Sequence, residues 1–184
     1  MDTEPTSAPR IHSTPWGSPQ QQRTIAPGIV SVSTAGHGGI WLDEAHVRRT
    51  FPSFTTYAGG PWYEEDEDVS VCVLAFPEAF DDRAVFYAVR ACLAPHRAED
   101  PRWSGVYAWL KGPEGMACRV RHDRYRFAHA ADYEPGSYGT DGGAWACDFY
   151  RIGDGHHRSA RLESPPWRPF YTASELDAFD AAGV

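Results

Sequence analysis

The sequence lacks the long apolar segments that mark membrane-spanning and secreted proteins. No run of eighteen apolar residues occurs in its 184 residues, so no transmembrane helix is predicted. The N-terminus has no basic start followed by an apolar core, so no secretory signal peptide is predicted either. We therefore expect a cytoplasmic protein that does not associate with a membrane.

Closely spaced cysteine pairs are also missing. The chain has four cysteines, and none stands near another in the sequence: Cys72, Cys92, Cys118 and Cys147. Zinc sites commonly use pairs of ligands a few residues apart, and disulfides persist mainly outside the reducing cytoplasm. We therefore expect reduced, buried thiols, and no cofactor is predicted.

Basic residues are scarce, and the acidic excess is concentrated in one segment. The chain has 25 acidic and 17 basic residues, a single lysine (Lys111) and a formal net charge of −8. The segment Trp62–Asp82 holds eight acidic and no basic residues, which leaves the rest of the chain balanced. Nucleic-acid backbones are bound mainly by lysine and arginine, so no direct nucleic-acid binding is expected. A protein partner with a basic surface fits this charge better.

The composition predicts one domain behind a disordered leader. Residues 1–23 are rich in Pro, Ser, Thr and Gln, and they hold few apolar side chains to offset the entropy lost on ordering. The remaining length is sufficient for a globular core. We therefore expect disorder over residues 1–23 and a single α+β domain over residues 24–184.

The first half of this domain predicts a strand, a glycine-framed turn and a pair of helices. β-Branched residues over 29–33 predict a strand, and the following Gly36-His37-Gly38-Gly39 predicts a tight turn with His37 at its apex. Apolar residues at i, i+3, i+4 and i+7 predict a helix over 65–76. A second helix is expected to begin at Asp81-Asp82.

The second half of the domain predicts an antiparallel sheet. Aromatic and β-branched residues predict strands over 106–110, 116–120, 125–129 and 144–152, with the Gly- and Tyr-rich residues 134–143 as a loop. Thr172 and Glu175 match a capping box and predict a short terminal helix. The predicted fold is therefore α+β, with the helical pair packed on a mostly antiparallel β-sheet.

Five consecutive acidic residues allow three interpretations. They are Glu64, Glu65, Asp66, Glu67 and Asp68, and they stand where the first predicted helix would begin. Complementarity to a helix dipole accounts for one or two of them, at about 0.3–1 kcal/mol each, whereas like charges four residues apart repel. The excess is explained by a solvated surface, by recognition of a basic partner through these five residues, or by metal binding or acid–base chemistry.

His37 is the second candidate site residue. Its glycine neighbours leave the imidazole uncrowded, so it could act in acid–base catalysis or bind a metal together with Glu64, Glu65 or Asp66. Alternatively, His37 hydrogen-bonds one of these carboxylates and pins the turn, or it contacts a partner. Neither an H-E-x-x-H nor a G-x-S-x-G motif is present, so no catalytic residue beyond the candidate His37 is assigned.

Three blocks of sequence carry a resemblance to a known family. They are Gly28–Gly39, which ends in His-Gly-Gly, Trp62–Asp66, which reads Trp-Tyr-Glu-Glu-Asp, and Ala75–Phe80, which reads Ala-Phe-Pro-Glu-Ala-Phe. These blocks resemble a bacterial domain family of phages, plasmids and integrated elements. The chain departs from the pattern by extending the acidic run to Glu67 and Asp68. The resemblance implies no activity and no catalytic residue, but it implies a setting among small proteins that blunt host defence.

Charge and setting together favour one function over two alternatives. We expect a small acidic binding protein of a mobile element that engages and inhibits a basic, nucleic-acid-handling host defence protein. An anti-CRISPR or antirestriction factor acts in this way. One alternative is a small, metal-dependent enzyme in which His37 meets Glu64, Glu65 or Asp66. The other alternative is a structural or assembly component of a phage.

Overall fold

The structure is a computed structural model that describes residues 9–141, 144–166 and 168–182. Within these residues the chain forms six α-helices and two antiparallel sheets of four and three strands. The α+β class and the mostly antiparallel pairing predicted from the sequence are confirmed. By its internal contacts the chain divides into two compact units, Met1–Asp123 and Arg124–Val184.

The first unit is built on the four-stranded sheet. Its strands follow one another in chain order: β1 (Gln21–Ala26), β2 (Ile29–Ser33), β3 (Gly38–Leu42) and β4 (Trp62–Glu64). The strand predicted over 29–33 is confirmed as β2, and its apolar residues Ile29, Val30 and Val32 are buried. A short helix, α1 (Glu44–Val47), follows β3, and the Asp43 carboxylate caps it by accepting a hydrogen bond from the His46 backbone N–H.

Regular structure begins earlier than the sequence predicts. The predicted disordered leader covers residues 1–23, whereas β1 begins at Gln21 and pairs with β2. The first four residues of β1 are exposed, so this part of the edge strand is held by backbone hydrogen bonds, while Ile25 and Ala26 pack against the core. Upstream of it, Trp16 packs edge-to-face on Trp62, with ring centroids 5.7 Å apart. Residues 1–8 lie outside the described residues.

The predicted helical pair packs on this sheet. Helix α2 (Val69–Ala75) contacts β3, β4 and helix α3 (Asp82–Cys92). The Asp81 carboxylate caps α3, which begins where the sequence predicts. Helix α2 begins at Val69, four residues later than predicted, because the acidic residues form a turn ahead of it. The acidic residues therefore precede the first helix instead of opening it.

Residues 104–128 form two helices where the sequence predicts strands. Helix α4 (Ser104–Lys111) replaces the strand predicted over 106–110, and helix α5 (Met116–Ala128) replaces those predicted over 116–120 and 125–129. Val106 and Leu110 stand four residues apart, and both are fully buried in the core of the first unit. Packing of this helical face outweighs the β propensity of the aromatic residues beside it.

The second unit holds the three-stranded sheet and the last helix. Its elements are β5 (Tyr133–Asp141), β6 (Ala144–Arg151), β7 (His157–Leu162) and α6 (Ala173–Ala182). The strand predicted over 144–152 is confirmed as β6. The capping box is confirmed too, since the Thr172 N–H donates to Glu175 Oε2 at 2.7 Å and the Glu175 N–H donates to Thr172 Oγ1 at 3.3 Å.

The loop predicted over 134–143 is wrong for residues 134–141, and residues 142–143 lie outside the described residues. Residues 134–141 belong to β5, which pairs with β6 across a bulge between Pro135 and Tyr138. The bulge absorbs the poor strand formers Pro135 and Gly136, which made this segment resemble a loop. Pairing with β6 supplies the backbone hydrogen bonds that local composition does not reveal.

Candidate functional site

The acidic residues Glu64–Asp68, which we call the acidic turn, connect β4 to α2. Glu64 is the last residue of β4, and its backbone oxygen accepts a hydrogen bond from the Asp68 N–H at 2.9 Å. The turn therefore has the hydrogen-bond pattern of a single helical turn. Its five carboxylates, however, lie in very different surroundings.

Glu64 shapes the turn from the inside. The residue is 7% exposed, and its Oε2 accepts hydrogen bonds from the N–H groups of Asp66 at 3.0 Å and Glu67 at 2.9 Å. The first N–H groups of a helical turn have no partner within the turn, so a side-chain acceptor at this point caps it. Glu64 is thus needed for the conformation of the acidic turn.

Asp68 fixes the other end of the turn. It is 0% exposed, and its carboxylate accepts hydrogen bonds from the Tyr57 backbone N–H and from Arg102 Nη2, both at 2.6 Å. Arg102 also donates to the Thr55 backbone oxygen at 2.9 Å. A buried charge persists in a fold when it is paired and hydrogen-bonded in this way. Asp68 therefore joins the acidic turn to the preceding loop.

The remaining three acidic residues are exposed to solvent. Glu67 forms an ion pair with Arg97 at 3.2 Å, and the Glu67 side chain is 46% exposed. Glu65 and Asp66 are also exposed. Of the five residues predicted to contact a partner, the structure therefore offers Glu65, Asp66 and Glu67 to a partner, while Glu64 and Asp68 support the turn.

His37 lies at the tip of the hairpin between β2 and β3, as the sequence predicts. The Thr34 N–H donates to the His37 backbone oxygen at 2.7 Å, which closes the hairpin. The imidazole is 58% exposed. Directly after β4, the Glu65 N–H of the acidic turn donates to the Gly38 backbone oxygen at 3.1 Å, so β3 holds the hairpin tip beside the acidic turn.

The structure brings His37 together with the acidic residues that the sequence names as its possible partners. His37 Nδ1 lies 3.7 Å from Glu64 Oε1, and the ligand atoms of His37, Glu64 and Asp66 all lie within 4.8 Å of one another. Glu65 is adjacent, because a Cβ added to Gly38 would be 2.5 Å from Glu65 Oε2. The 3.7 Å separation is within ion-pair range but too long for a direct hydrogen bond between His37 Nδ1 and Glu64 Oε1. Small side-chain movements would bring His37, Glu64 and Asp66 within reach of one cation.

Sequence reasoning missed the two arginines that pair with the acidic turn. Arg97 and Arg102 stand 30 and 34 residues from their partners Glu67 and Asp68 in the chain. No local pattern marks them, because the pairing depends on how α2 packs relative to the segment that precedes α4. Tertiary contacts therefore neutralise part of the charge that the sequence assigns to the surface.

The four cysteines lie in the protein interior. All four are free and buried, as predicted: Cys72, Cys92, Cys118 and Cys147. Burial raises the pKa of each thiol, to about 12 for Cys92 and to about 11 for Cys147. A thiol with a raised pKa stays protonated near neutral pH, so none of the four has the thiolate character of a nucleophile.

Fold and site together define a small α+β protein with a histidine hairpin beside a capped acidic turn. The chain belongs to the family described as "Domain of unknown function (DUF7007)", which matches residues 9–127. The match includes the three sequence blocks noted above and both parts of the candidate site. No curated protein and no solved structure matches the chain. Across the described residues, no helix is both long and apolar enough to cross a bilayer.

Proposed function

We propose that this protein is an acidic binding protein that engages a basic surface of another protein through Glu65, Asp66 and Glu67. The observation that supports the proposal is the difference in burial among the five residues of the acidic turn. Glu64 and Asp68 are buried and hold its backbone, while the residues between them face solvent. The exposed charges therefore stand on a preorganised turn, and a preorganised surface loses less entropy on binding.

We further propose that the partner is a nucleic-acid-handling host defence protein that this chain inhibits. Proteins that bind phosphate backbones present Lys- and Arg-rich surfaces, which a chain with a net charge of −8 attracts over long range. A mobile genetic element is the proposed source, in line with the family resemblance of the three sequence blocks. The protein would then act in the cytoplasm as an anti-CRISPR or antirestriction factor.

Affinity capture from a bacterial host lysate tests this proposal when it is done with matched charge variants. The test variant is Glu65→Lys/Asp66→Lys, which reverses two exposed charges and leaves the buried Glu64 and Asp68 in place. The control variant is Glu114→Lys/Glu163→Lys, which makes the same change in net charge at two other exposed acidic residues. Reversal of Glu64 is unsuitable, because it would remove the cap of the turn.

The expected result is capture of a basic, nucleic-acid-binding protein by the wild type and by the control variant, and its loss with the test variant. Nucleic acid should also compete for the captured protein, because the acidic turn and a phosphate backbone would use the same surface. Equal capture by the two variants would overturn the proposal. Capture of a protein without a basic surface would overturn it as well.

A further inference from the structure

We propose that His37, Glu64 and Asp66 form a binding site for a divalent transition-metal ion. The three side chains come from the β2–β3 hairpin and from the acidic turn, which the pairing of β3 with β4 places side by side. One ligand atom from each lies within 4.8 Å of the other two. Asp66 belongs both to this site and to the proposed partner surface, but the inference does not rest on the proposed function, because it concerns a small ligand and depends on His37.

The distance between His37 and Glu64 is closer to the separation of two ligands of one ion than to the length of a hydrogen bond. A charge-assisted hydrogen bond between these groups would be about 2.7–2.9 Å long. Two ligand atoms at about 2.05 Å from a tetrahedral zinc ion are about 3.3 Å apart. The observed separation of 3.7 Å between His37 Nδ1 and Glu64 Oε1 is near the second value. A small side-chain adjustment would therefore suffice for both to reach one ion.

The buried carboxylate of Glu64 supplies an independent indication. The side chain is nine-tenths buried, with 10% exposure, and Oε2 is occupied by two backbone N–H groups. Among the described residues, no donor lies within hydrogen-bond distance of Oε1, which faces the His37 ring. Oε1 itself reaches solvent, so it is open to an ion or an ordered water on the His37 side, while Oε2 holds the rest of the Glu64 side chain in place.

The ion pairs formed by the acidic residues also favour a cation at this site. Glu67 and Asp68 each have an arginine partner, Arg97 and Arg102. In the part of the chain that the structure describes, no arginine or lysine pairs with Glu64, Glu65 or Asp66. The carboxylates of Glu64 and Asp66 lie close together beside His37, and like charges at close range repel. A bound cation would neutralise this group.

The donor set selects the class of ion. One imidazole nitrogen and two carboxylate oxygens suit zinc and related first-row transition metals, whereas magnesium prefers oxygen ligands alone. Three protein ligands also leave a coordination position open for water or for a group of another molecule. The site is thus suited to a metal that the protein presents at its surface.

Isothermal titration calorimetry of the full chain with Zn²⁺ and with Mg²⁺ tests the proposal near neutral pH. The variants are His37→Ala and Asp66→Asn, which alter exposed side chains and preserve the Glu64 cap. The matched controls are His96→Ala and Glu67→Gln, since His96 and Glu67 are exposed but lie outside the three-residue site. Circular dichroism verifies that each variant is folded. The visible absorption of Co²⁺, used as a second probe, reports the ligand geometry.

We expect one Zn²⁺ per chain, bound more tightly than Mg²⁺. Each test variant should weaken Zn²⁺ binding by at least about tenfold, since even the loss of a supporting residue around a metal costs 10–100-fold. Binding should also weaken as the solution is acidified, because only the neutral imidazole binds a metal. No stoichiometric Zn²⁺ binding would overturn the proposal. Binding that is unchanged in His37→Ala, or equal for Mg²⁺ and Zn²⁺, would overturn it too.

Discussion

The buried carboxylate of Asp68 predicts a large stability cost for a substitution that hardly changes its shape. Asp68→Asn removes the charge and replaces one acceptor oxygen by an amide donor. That donor would face either the Tyr57 N–H or the Arg102 guanidinium, both of which are donors themselves. Asp68 is 0% exposed, so water does not compensate at the aspartate. One hydrogen bond to a charged group is lost, and the group left unpaired adds a desolvation penalty.

The expected loss of stability in Asp68→Asn can be calculated from these contacts. A hydrogen bond to a charged group contributes about 1.5–3 kcal/mol, and removal of one partner from a fully buried ion pair costs about 3–5 kcal/mol. The Arg102 side chain is 32% exposed and recovers part of its hydration, which reduces the second figure. We therefore expect Asp68→Asn to lower the free energy of unfolding by about 2–4 kcal/mol.

Urea denaturation followed by circular dichroism measures this loss, with Glu67→Gln as the matched control. Glu67 also pairs with an arginine, but at 3.2 Å and with its side chain 46% exposed. Arg97 is only 16% exposed, but the half-exposed Glu67 carboxylate keeps much of its hydration, so loss of this pair should cost about 1 kcal/mol or less. If Asp68→Asn costs no more than Glu67→Gln, the reasoning that the buried pair holds the acidic turn is refuted.

Three further predictions concern a close backbone approach, an ion-paired cap and the thiols. Gly39→Ala should lower the melting temperature, because a Cβ at Gly39 would lie 2.6 Å from the Trp16 ring. The control Gly36→Ala should leave the melting temperature unchanged, because a Cβ at Gly36 would meet nothing within 4 Å. The Thr172 N–H, followed by the Arg168 guanidinium, lowers the pKa of Glu175 from 4.5 to about 2. The ionised Glu175 therefore stabilises the fold above about pH 4.5, and this contribution is lost as the pH falls towards 2. Glu175→Gln should make the stability less dependent on pH between these two values in an acid-denaturation experiment. All four buried thiols should react with a thiol reagent only after unfolding, and rapid labelling of the native protein would contradict their burial.

The helical pair could be predicted from the sequence because its signals are local. Asp81 is a strong N-cap residue, and Val85, Phe86 and Val89 repeat with helical spacing on the buried face of α3. The strand β2 was equally predictable, since its β-branched residues are flanked by glycine-containing turns. In each case one short window held both the periodic pattern and the residues that end the element.

The helices α4 and α5 could not be predicted in the same way. Tyr107 and Trp109 favour strands by propensity, and Gly112-Pro113 resembles a hairpin turn. What decides the structure of α4 is the burial of Val106 and Leu110 against distant parts of the core, which a local window does not contain. The prediction of a loop in place of strand β5 was wrong for the opposite reason. The sequence of β5 has little strand propensity, and pairing with β6 makes it a strand.

The candidate site was predictable in its residues but not in their roles. The glycines around His37 and the acidic run marked both halves, and the structure places them side by side. In the sequence the five acidic residues cannot be distinguished by role. In the structure Glu64 and Asp68 are buried, and the other three residues are exposed. That separation depends on backbone N–H groups and on Arg97 and Arg102, none of which the acidic run itself specifies.

The most direct test of the central claim is an equilibrium titration of the captured basic partner with the wild type and the two double charge variants. We expect Glu65→Lys/Asp66→Lys to weaken binding by at least about tenfold, while Glu114→Lys/Glu163→Lys changes it little. Wild-type binding should also weaken as salt is added, because the attraction between the surfaces is screened. If the two variants bind equally well, the acidic turn is not the binding surface.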